Sequence, residues 1–224
     1  MFEKLESELN NSINVTHFEN KKVNTLFLPK ITEAYDNLKI LLPNLPKTIN
    51  ITFGTNYPYG EDGVTGSALS NDSMKIGTRL DQEDRTSQFD RIKPVIFHEG
   101  YHIAQGFYNS DPCSAIEAAI YEGCATIFER EYTNSNPKWG DYSEHDEETL
   151  YAWLKEIKTI TADQYFEPSG DTWRKWAFRD PETNETWRIY KIGTWIVENV
   201  IRKTKLSVVE LNSMSAHEIF GRFE

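Results

Sequence analysis

The segment with the clearest chemical potential runs from Pro94 to Gly106 and contains the pattern H-E-x-x-H. If this segment is helical, His98 and His102 project from one face about 6 Å apart, so both imidazoles can reach a single metal ion. Glu99 then lies beside the metal, where a carboxylate can take a proton from water and later give it to a leaving amine. The spacing predicts a zinc hydrolase site. The alternative is an exposed helix that carries two unrelated histidines.

A metal site needs a third ligand, and the helix predicted downstream offers one. Glu122 lies twenty positions after His102 in the sequence. Its helical neighbours are Ala118, Ala119 and Ala125, and such small residues let a helix approach another backbone closely. Glu122 is therefore the predicted third ligand.

Two other ligand sets fit the sequence less well. Glu117 lies fifteen residues after His102 and belongs more naturally to a helix capping box with Ser114. The extended pattern H-E-x-x-H-x-x-G-x-x-H fails, because Gln105 stands where glycine is required and Tyr108 where the third histidine belongs. A site with three histidines is excluded.

The remaining histidines offer no second metal motif. His217 is followed by Gly221 at the position of a second histidine, and its surroundings fit a helix cap better. His17 and His145 are isolated among polar residues and are expected to be exposed.

The two cysteines are expected to be free thiols. Cys113 and Cys124 are eleven residues apart in one predicted helix, which puts their Cα atoms about 16 Å apart, too far for a disulfide. Free thiols fit a reducing compartment. A cysteine hydrolase would need a histidine base, and the nearest histidines belong to the metal motif.

Composition limits the class of protein. The 224 residues, of which 38% are hydrophobic, suffice for one catalytic domain over residues 1–224. Within it we expect a helical scaffold over residues 1–45, followed by the catalytic core and C-terminal helices over residues 46–224.

The formal charge of -11, without a basic run, argues against nucleic acid or an anionic membrane as a partner. The acidic N-terminus and the lack of a long apolar stretch predict a cytoplasmic protein with no membrane segment.

Periodicity predicts the elements that position the motif. Apolar residues at helical spacing indicate a helix from about Leu28 to Leu42, with Pro29 in its first turn. Strict alternation indicates a strand over Thr48 to Phe53. A polar loop over Gly54 to Gly66 follows, and then a strand over Met74 to Leu80 leads towards the metal helix.

The second half of the chain reads as helical. Helices are predicted over Glu147 to Lys158 and Trp187 to Lys203, and two short helices begin at Ser207 and Ser215. A dense aromatic segment is interpreted as core packing rather than as a side-chain pocket. Its members are Trp173, Trp176, Phe178 and Trp187.

The motifs carry a family resemblance. H-E-G-Y-H followed by E-G-C-A is similar to the gluzincin zinc metallopeptidases, and more closely resembles a family of predicted bacterial zinc-dependent proteases with a compact domain. The likeness extends from Ile49 to Glu218 and includes a Y-x-x-G segment at Tyr190. The resemblance implies a zinc cofactor and a peptide or protein substrate. It implies that the ligands are His98, His102 and Glu122 and that the base is Glu99. The sequence departs from the family pattern at Gly100, a helix-weakening residue inside the motif. Glycine at this position makes the helix less stable by about 1 kcal/mol than alanine would.

Tyr190 is the predicted oxyanion donor. The mechanism requires a neutral or cationic donor opposite Glu99, and a phenol can donate a hydrogen bond without competing strongly for the metal. Tyr190 precedes Gly193 at the start of an amphipathic helix, and the family resemblance places a tyrosine there.

Together these patterns predict an α+β, mostly helical fold with a small sheet before the active-site helix. The family resemblance implies that this fold is zincin-like, of the minimal gluzincin kind. We expect the strand over Met74 to Leu80 to form the edge of that sheet, where an extended substrate could add by main-chain hydrogen bonds. This favours a zinc metallopeptidase. The alternative is a non-catalytic, zinc-stabilised peptide-binding or regulatory module. Glu99 favours catalysis, because a purely structural site has no use for a carboxylate beside its ligands.

Overall fold

The described residues in the first half of the chain include a four-stranded sheet. In the structure, a computed structural model, the described residues are 13–17, 21–54, 64–78, 86–108 and 112–224. They divide into two units, Met1–Ser110 and Asp111–Glu224. The strands of the first unit are β1 (Ile13–His17), β2 (Ile49–Gly54), β3 (Val64–Ser70) and β4 (Ser73–Thr78). Of the helical scaffold expected over residues 1–45, residues 1–12 lie outside the described part of the chain, and β1 is a strand that the prediction missed. The single catalytic domain stays a prediction.

The order of the strands is β1-β2-β4-β3. β1, β2 and β4 run parallel, whereas β3 runs antiparallel to β4. The alternation predicted for β2 is confirmed at Ile49 and Ile51, which are both buried. The side chain of Phe53 lies outside the described part of the chain.

β3 corrects the predicted sheet. The sequence prediction ended the loop at Gly66 and made the strand that begins near Met74 an edge strand. In the structure that strand, β4, lies between β2 and β3, so β3 is at one end of the described sheet. After Val64, the next four residues of β3 are small or polar, with the sequence T-G-S-A, so the strand shows little of the apolar alternation that signals a strand.

Two long helices pack on each other in the first unit, α1 (Lys21–Leu41) and α2 (Thr86–Gln105). The predicted buried face of α1 is confirmed at Ile31, Ala34, Tyr35, Leu38 and the adjoining Leu42. Pro29 lies inside α1 rather than in its first turn. The prediction read proline as a start signal, but a helix with a well-buried face can tolerate the loss of one hydrogen bond.

The second unit is helical. Its helices are α3 (Ala115–Thr133), α4 (Glu147–Ile157), α5 (Ala162–Tyr165), α6 (Asp171–Ala177), α7 (Arg188–Thr204), α8 (Val208–Leu211) and α9 (Ala216–Phe223). The predicted starts of the last two are confirmed, because Ser207 and Ser215 each form a capping box with the glutamate three residues later.

α3 and α7 touch through two glycines. A Cβ atom on Gly123 would lie 2.2 Å from the carbonyl carbon of Gly193. A Cβ atom on Gly193 would lie 1.8 Å from the carbonyl oxygen of Ala119. Both distances are far below van der Waals contact, so only glycine allows the two backbones to come this close.

The aromatic segment is only partly buried. Trp176 is buried as predicted, with the guanidinium carbon of Arg188 4.0 Å from its ring centroid. Trp173 and Phe178 are 38% and 48% exposed, so their assignment to the core is wrong. They pack edge to face against each other, with ring centroids 4.8 Å apart. A helix as short as α6 buries one face, and Trp176 occupies it.

The predicted fold class is confirmed: the protein is α+β and mostly helical, with a small sheet before α2. Among the helices that the structure describes, none combines the length and the apolar character needed to cross a membrane.

The contact between α3 and α7 can be tested with Gly193→Ala. We expect this substitution to lower the free energy of unfolding by about 3 kcal/mol, because the new methyl group meets backbone atoms that cannot rotate away. Urea unfolding measures the loss. Gly221→Ala in α9 is the control, since a Cβ there meets nothing within 4 Å, and it should be neutral or stabilising by up to about 1 kcal/mol. Equal effects of the two substitutions would contradict the close contact.

Candidate functional site

The two histidines of the H-E-x-x-H motif lie side by side near the end of α2. Their ring centroids are 4.9 Å apart, with the ring planes at 78° to each other. His98 and His102 are both buried. The four-residue spacing therefore puts both imidazoles on one face of the helix, as the sequence predicts.

The glycine inside the motif is a packing residue. A Cβ on Gly100 would lie 2.1 Å from Cδ2 of Leu38. Leu38 is fully buried in α1 and has little freedom to move aside. The helix-weakening Gly100 thus allows α1 to pack close to the segment of α2 that carries the histidines.

Glu99 faces the sheet edge. Its side chain packs against the backbone of β3, since a Cβ on Gly66 would lie 2.5 Å from Cγ and 2.6 Å from Oε1 of Glu99. Glu99 is only 7% exposed. The carboxylate beside the histidines is therefore confined between α2 and β3.

The end of α2 fixes the second histidine. Gly106 adopts a left-handed conformation with φ of 78°, and the amide of Phe107 donates to the carbonyl of His102 at 2.9 Å. This is the Schellman arrangement, in which a glycine reverses the chain after a helix. It folds the Phe107 ring onto the His102 imidazole, with centroids 5.2 Å apart.

Glu122, the predicted third ligand, lies in α3 and is half-buried. The start of α3 is the capping box that the sequence predicts, in which the amide of Ser114 donates to Oε2 of Glu117 at 2.8 Å. The Ser114 hydroxyl donates to the same oxygen at 2.6 Å. The carboxylate of Glu117, the rival ligand, is thus engaged in the cap.

Tyr165 is an electrostatic neighbour of Glu122. Burial, together with the negative charge of Glu122, raises the pKa of the Tyr165 phenol well above its usual value. The hydroxyl of Tyr165 therefore stays neutral at physiological pH. Tyr165 is buried at the end of the short helix α5.

Tyr190 lies in the first turn of α7 and is half-buried. It precedes Gly193, the glycine that touches α3, by three residues, or about one helical turn. Its role as an oxyanion donor stays a prediction.

Three described residues form a group that could hold a metal ion: His98, His102 and Glu122. Each offers one ligand atom, and these atoms all lie within 4.8 Å of one another. Two imidazoles and one carboxylate are also a donor set that catalytic zinc sites use, which leaves the fourth position open. The residues therefore fit zinc.

The other histidines and the cysteines lie outside this group. The expectation that His145 is exposed is wrong: its side chain is 8% exposed and its Nε2 lies 3.2 Å from Oε2 of Glu185. Its ring packs on Trp153 at 4.7 Å between centroids, a partner that the polar local sequence does not reveal. His217 lies in the capped helix α9, and the side chain of His17 is outside the described part. Cys113 and Cys124 are free thiols, as predicted, and both are buried. They do not share a helix as the prediction had it, because Cys113 precedes Ser114, the N-cap of α3.

Sequence reasoning missed three neighbours of the candidate site. Gly66 and Tyr165 carry no local signal, because each is close to a site residue only through the fold. Phe107 could have been found, since glycine followed by an apolar residue at a helix end is a known stop signal that includes a contact back to the helix.

The chain belongs to a known protein family. Residues 30–221 match the family described as Predicted Zn-dependent protease (DUF2268). The match includes the H-E-x-x-H segment, Glu122 and Tyr190. The chain matches no curated protein.

Proposed function

We propose that this protein is a zinc-dependent metallopeptidase in which His98, His102 and Glu122 bind the metal and Glu99 is the general base. The observation that carries the proposal is the pair of buried imidazoles on one face of α2, with ring centroids 4.9 Å apart and the buried carboxylate of Glu99 next to His98 in sequence. Glu122 belongs with the two histidines to a group of described residues that could hold a metal ion. Membership of a family of predicted zinc-dependent proteases supports the same conclusion.

Zinc, when bound, would polarise the scissile carbonyl and make water easier to deprotonate. The residues of the chain supply the rest of the chemistry. The two imidazoles would each offer one nitrogen to the metal, and Glu122 would offer one carboxylate oxygen. Three protein ligands leave room for water and substrate.

Glu99 takes the proton. In this proposal its carboxylate accepts a proton from the attacking water and then delivers it to the leaving amine, so one group acts first as base and then as acid. Burial between α2 and β3 suits this role, because a confined carboxylate spends more of its time in a productive orientation than a solvated one. Tyr190 is the proposed donor to the oxyanion.

The proposed substrate is an extended peptide that lies along β3. β3 ends the described sheet and borders Glu99, so main-chain hydrogen bonds to this strand would bring a peptide bond towards the base. The sequence prediction gave this role to the strand near Met74. We propose β3 instead, because that earlier candidate, β4, lies between β2 and β3 in the described sheet. Main-chain pairing is available to any peptide sequence, which is why it suits a peptidase.

The alternative is a zinc-stabilised peptide-binding or regulatory module. Such a module would have the same metal ligands and the same strand edge as the proposed peptidase. It would have no need for a buried carboxylate one residue from a ligand, because burying a charge carries a cost unless it is compensated. The position of Glu99 therefore favours catalysis, and turnover decides between the two.

The metal ligands can be tested by elemental analysis. We expect about one zinc per chain in protein purified without added metal, and a lower melting temperature after chelation, because a ligand of the native state is then lost. Glu122→Ala should lose most of the zinc. Glu117→Ala is the matched control, and it should retain zinc while losing about 1 kcal/mol of stability from the helix cap. Zinc loss in the control alone would move the third ligand to Glu117.

The role of Glu99 can be tested with Glu99→Gln. This variant should keep its zinc and melting temperature but lose hydrolysis of a peptide library by at least about a hundredfold, because an amide cannot accept the proton of water. Glu33→Gln, at an exposed position of α1, controls for loss of a carboxylate elsewhere. Full activity of Glu99→Gln would show that Glu99 is not the general base. An inactive wild type that still holds zinc and binds peptides would favour the binding module.

Tyr190→Phe tests the oxyanion donor. Removal of one hydroxyl should lower kcat by about a hundredfold, with zinc content and melting temperature nearly unchanged. Tyr151→Phe is the control, since Tyr151 is 54% exposed on α4, and its turnover should equal that of the wild type. A Tyr190→Phe protein with unaltered kcat would end this assignment.

A further inference from the structure

Gly66 occupies an unusual position in β3. It is paired with Ile76 across the antiparallel β3–β4 ladder. Glycine weakens a strand, and within strands it often marks a place where another group comes close to the backbone. Gly66 is not among the described residues with a positive φ, so its backbone would accept an L-amino acid. The reason for glycine at this position is therefore the lack of room for a side chain and not the backbone conformation.

The space that a side chain would need is filled by α2. A Cβ at position 66 would lie 2.5 Å from Cγ of Glu99, 2.6 Å from Oε1 of Glu99 and 2.7 Å from Cγ1 of Val95. Two of these three atoms belong to the proposed base, and one of them is a carboxylate oxygen. Val95, the third contact, is four residues earlier on the same face of α2.

We propose that Gly66 is a positioning residue for the base: its missing side chain lets the Glu99 carboxylate rest on the edge-strand backbone, which limits the orientations that the carboxylate can take. This inference rests on the proposed function of Glu99 as the base. It adds that the edge strand has a second task besides receiving substrate, namely to hold the base at a fixed distance from that substrate.

The contact predicts a specific catalytic defect. A methyl group at position 66 would have to gain about 1 Å of space to reach ordinary van der Waals separation, and Glu99 is the main group in its way. A misplacement of about 1 Å in a catalytic group can cost about a hundredfold in rate. Gly66→Ala should therefore lower kcat between tenfold and a hundredfold, while KM changes less than threefold and the zinc content stays at about one per chain.

The experiment is a pair of double-mutant cycles. The first combines Gly66→Ala with Glu99→Ala, which removes both clashing atoms of the base, and the second combines it with Val95→Ala. Each cycle is measured by kcat, KM and zinc content, and by the melting temperature of the metal-free protein. Gly221→Ala, an open position in α9, is the control for a glycine-to-alanine change and should leave kcat unchanged.

A positioning role makes the cycles non-additive. In the Glu99→Ala protein, Gly66→Ala should have no further effect on the residual turnover. The melting temperature, which Gly66→Ala alone should lower by about 3 to 10 °C, should recover in the double variant. Val95→Ala should restore little of the lost kcat. If Gly66→Ala alone does not fold, recovery of folding with Glu99→Ala is the supporting result.

Three outcomes would overturn the inference. One is wild-type kcat in Gly66→Ala. Another is full recovery of kcat with Val95→Ala, which would make the clash purely structural. The third is strict additivity of positions 66 and 99 in the melting temperature. That measurement needs no substrate, so it separates this inference from the proposed function, which would fail instead if the zinc-loaded wild type cleaved no peptide.

Discussion

The geometry of the motif depends on the close packing of α2 against its neighbours in the first unit. At Gly100 the helix admits Leu38 of α1, and at Gly66 the edge strand admits Glu99 of α2. A Cβ atom at either glycine would overlap these side chains, so α2 packs at a distance that only glycine allows and has little freedom to rotate or slide. The orientation of the two histidines follows from this packing, because both imidazoles are fixed to the same helical face.

In the second unit, glycines likewise allow close packing, in this case between two helices. Gly123 and Gly193 bring the backbones of α3 and α7 into contact. Glu122 is the direct neighbour of one glycine, and Tyr190 precedes the other by one helical turn. Both residues are therefore carried by helices whose separation is set by backbone atoms, which suits groups that must hold a fixed geometry.

A buried ion pair anchors the start of α7. The side chains of Arg188 and Asp180 are 4% and 2% exposed, and they meet at 2.9 Å. Arg188 also stacks on Trp176. Trp187, the residue before the helix, has a φ of 55°, a conformation that is uncommon for a bulky side chain and persists only when its surroundings determine it. The ion pair and the stack of Arg188, the next residue, hold the chain at this point. Arg188 is two residues before Tyr190, so the same contacts fix the start of the helix that carries Tyr190.

The sequence by itself determined the parts that depend on local spacing. Helical periodicity put His98 and His102 on one face, and capping boxes located the starts of α3, α8 and α9, because both signals come from residues within four positions of each other. The small helical neighbours of Glu122 and the hydrogen-bonding chemistry of a phenol indicated Glu122 and Tyr190 as candidates, and the family resemblance supported both. Only the tertiary structure decided that β3 ends the described sheet, that Gly66 borders Glu99, that His145 is covered by Trp153 and that Trp173 is exposed. Each of these depends on contacts between distant segments, and local pattern cannot encode which distant atom will occupy the space beside a residue.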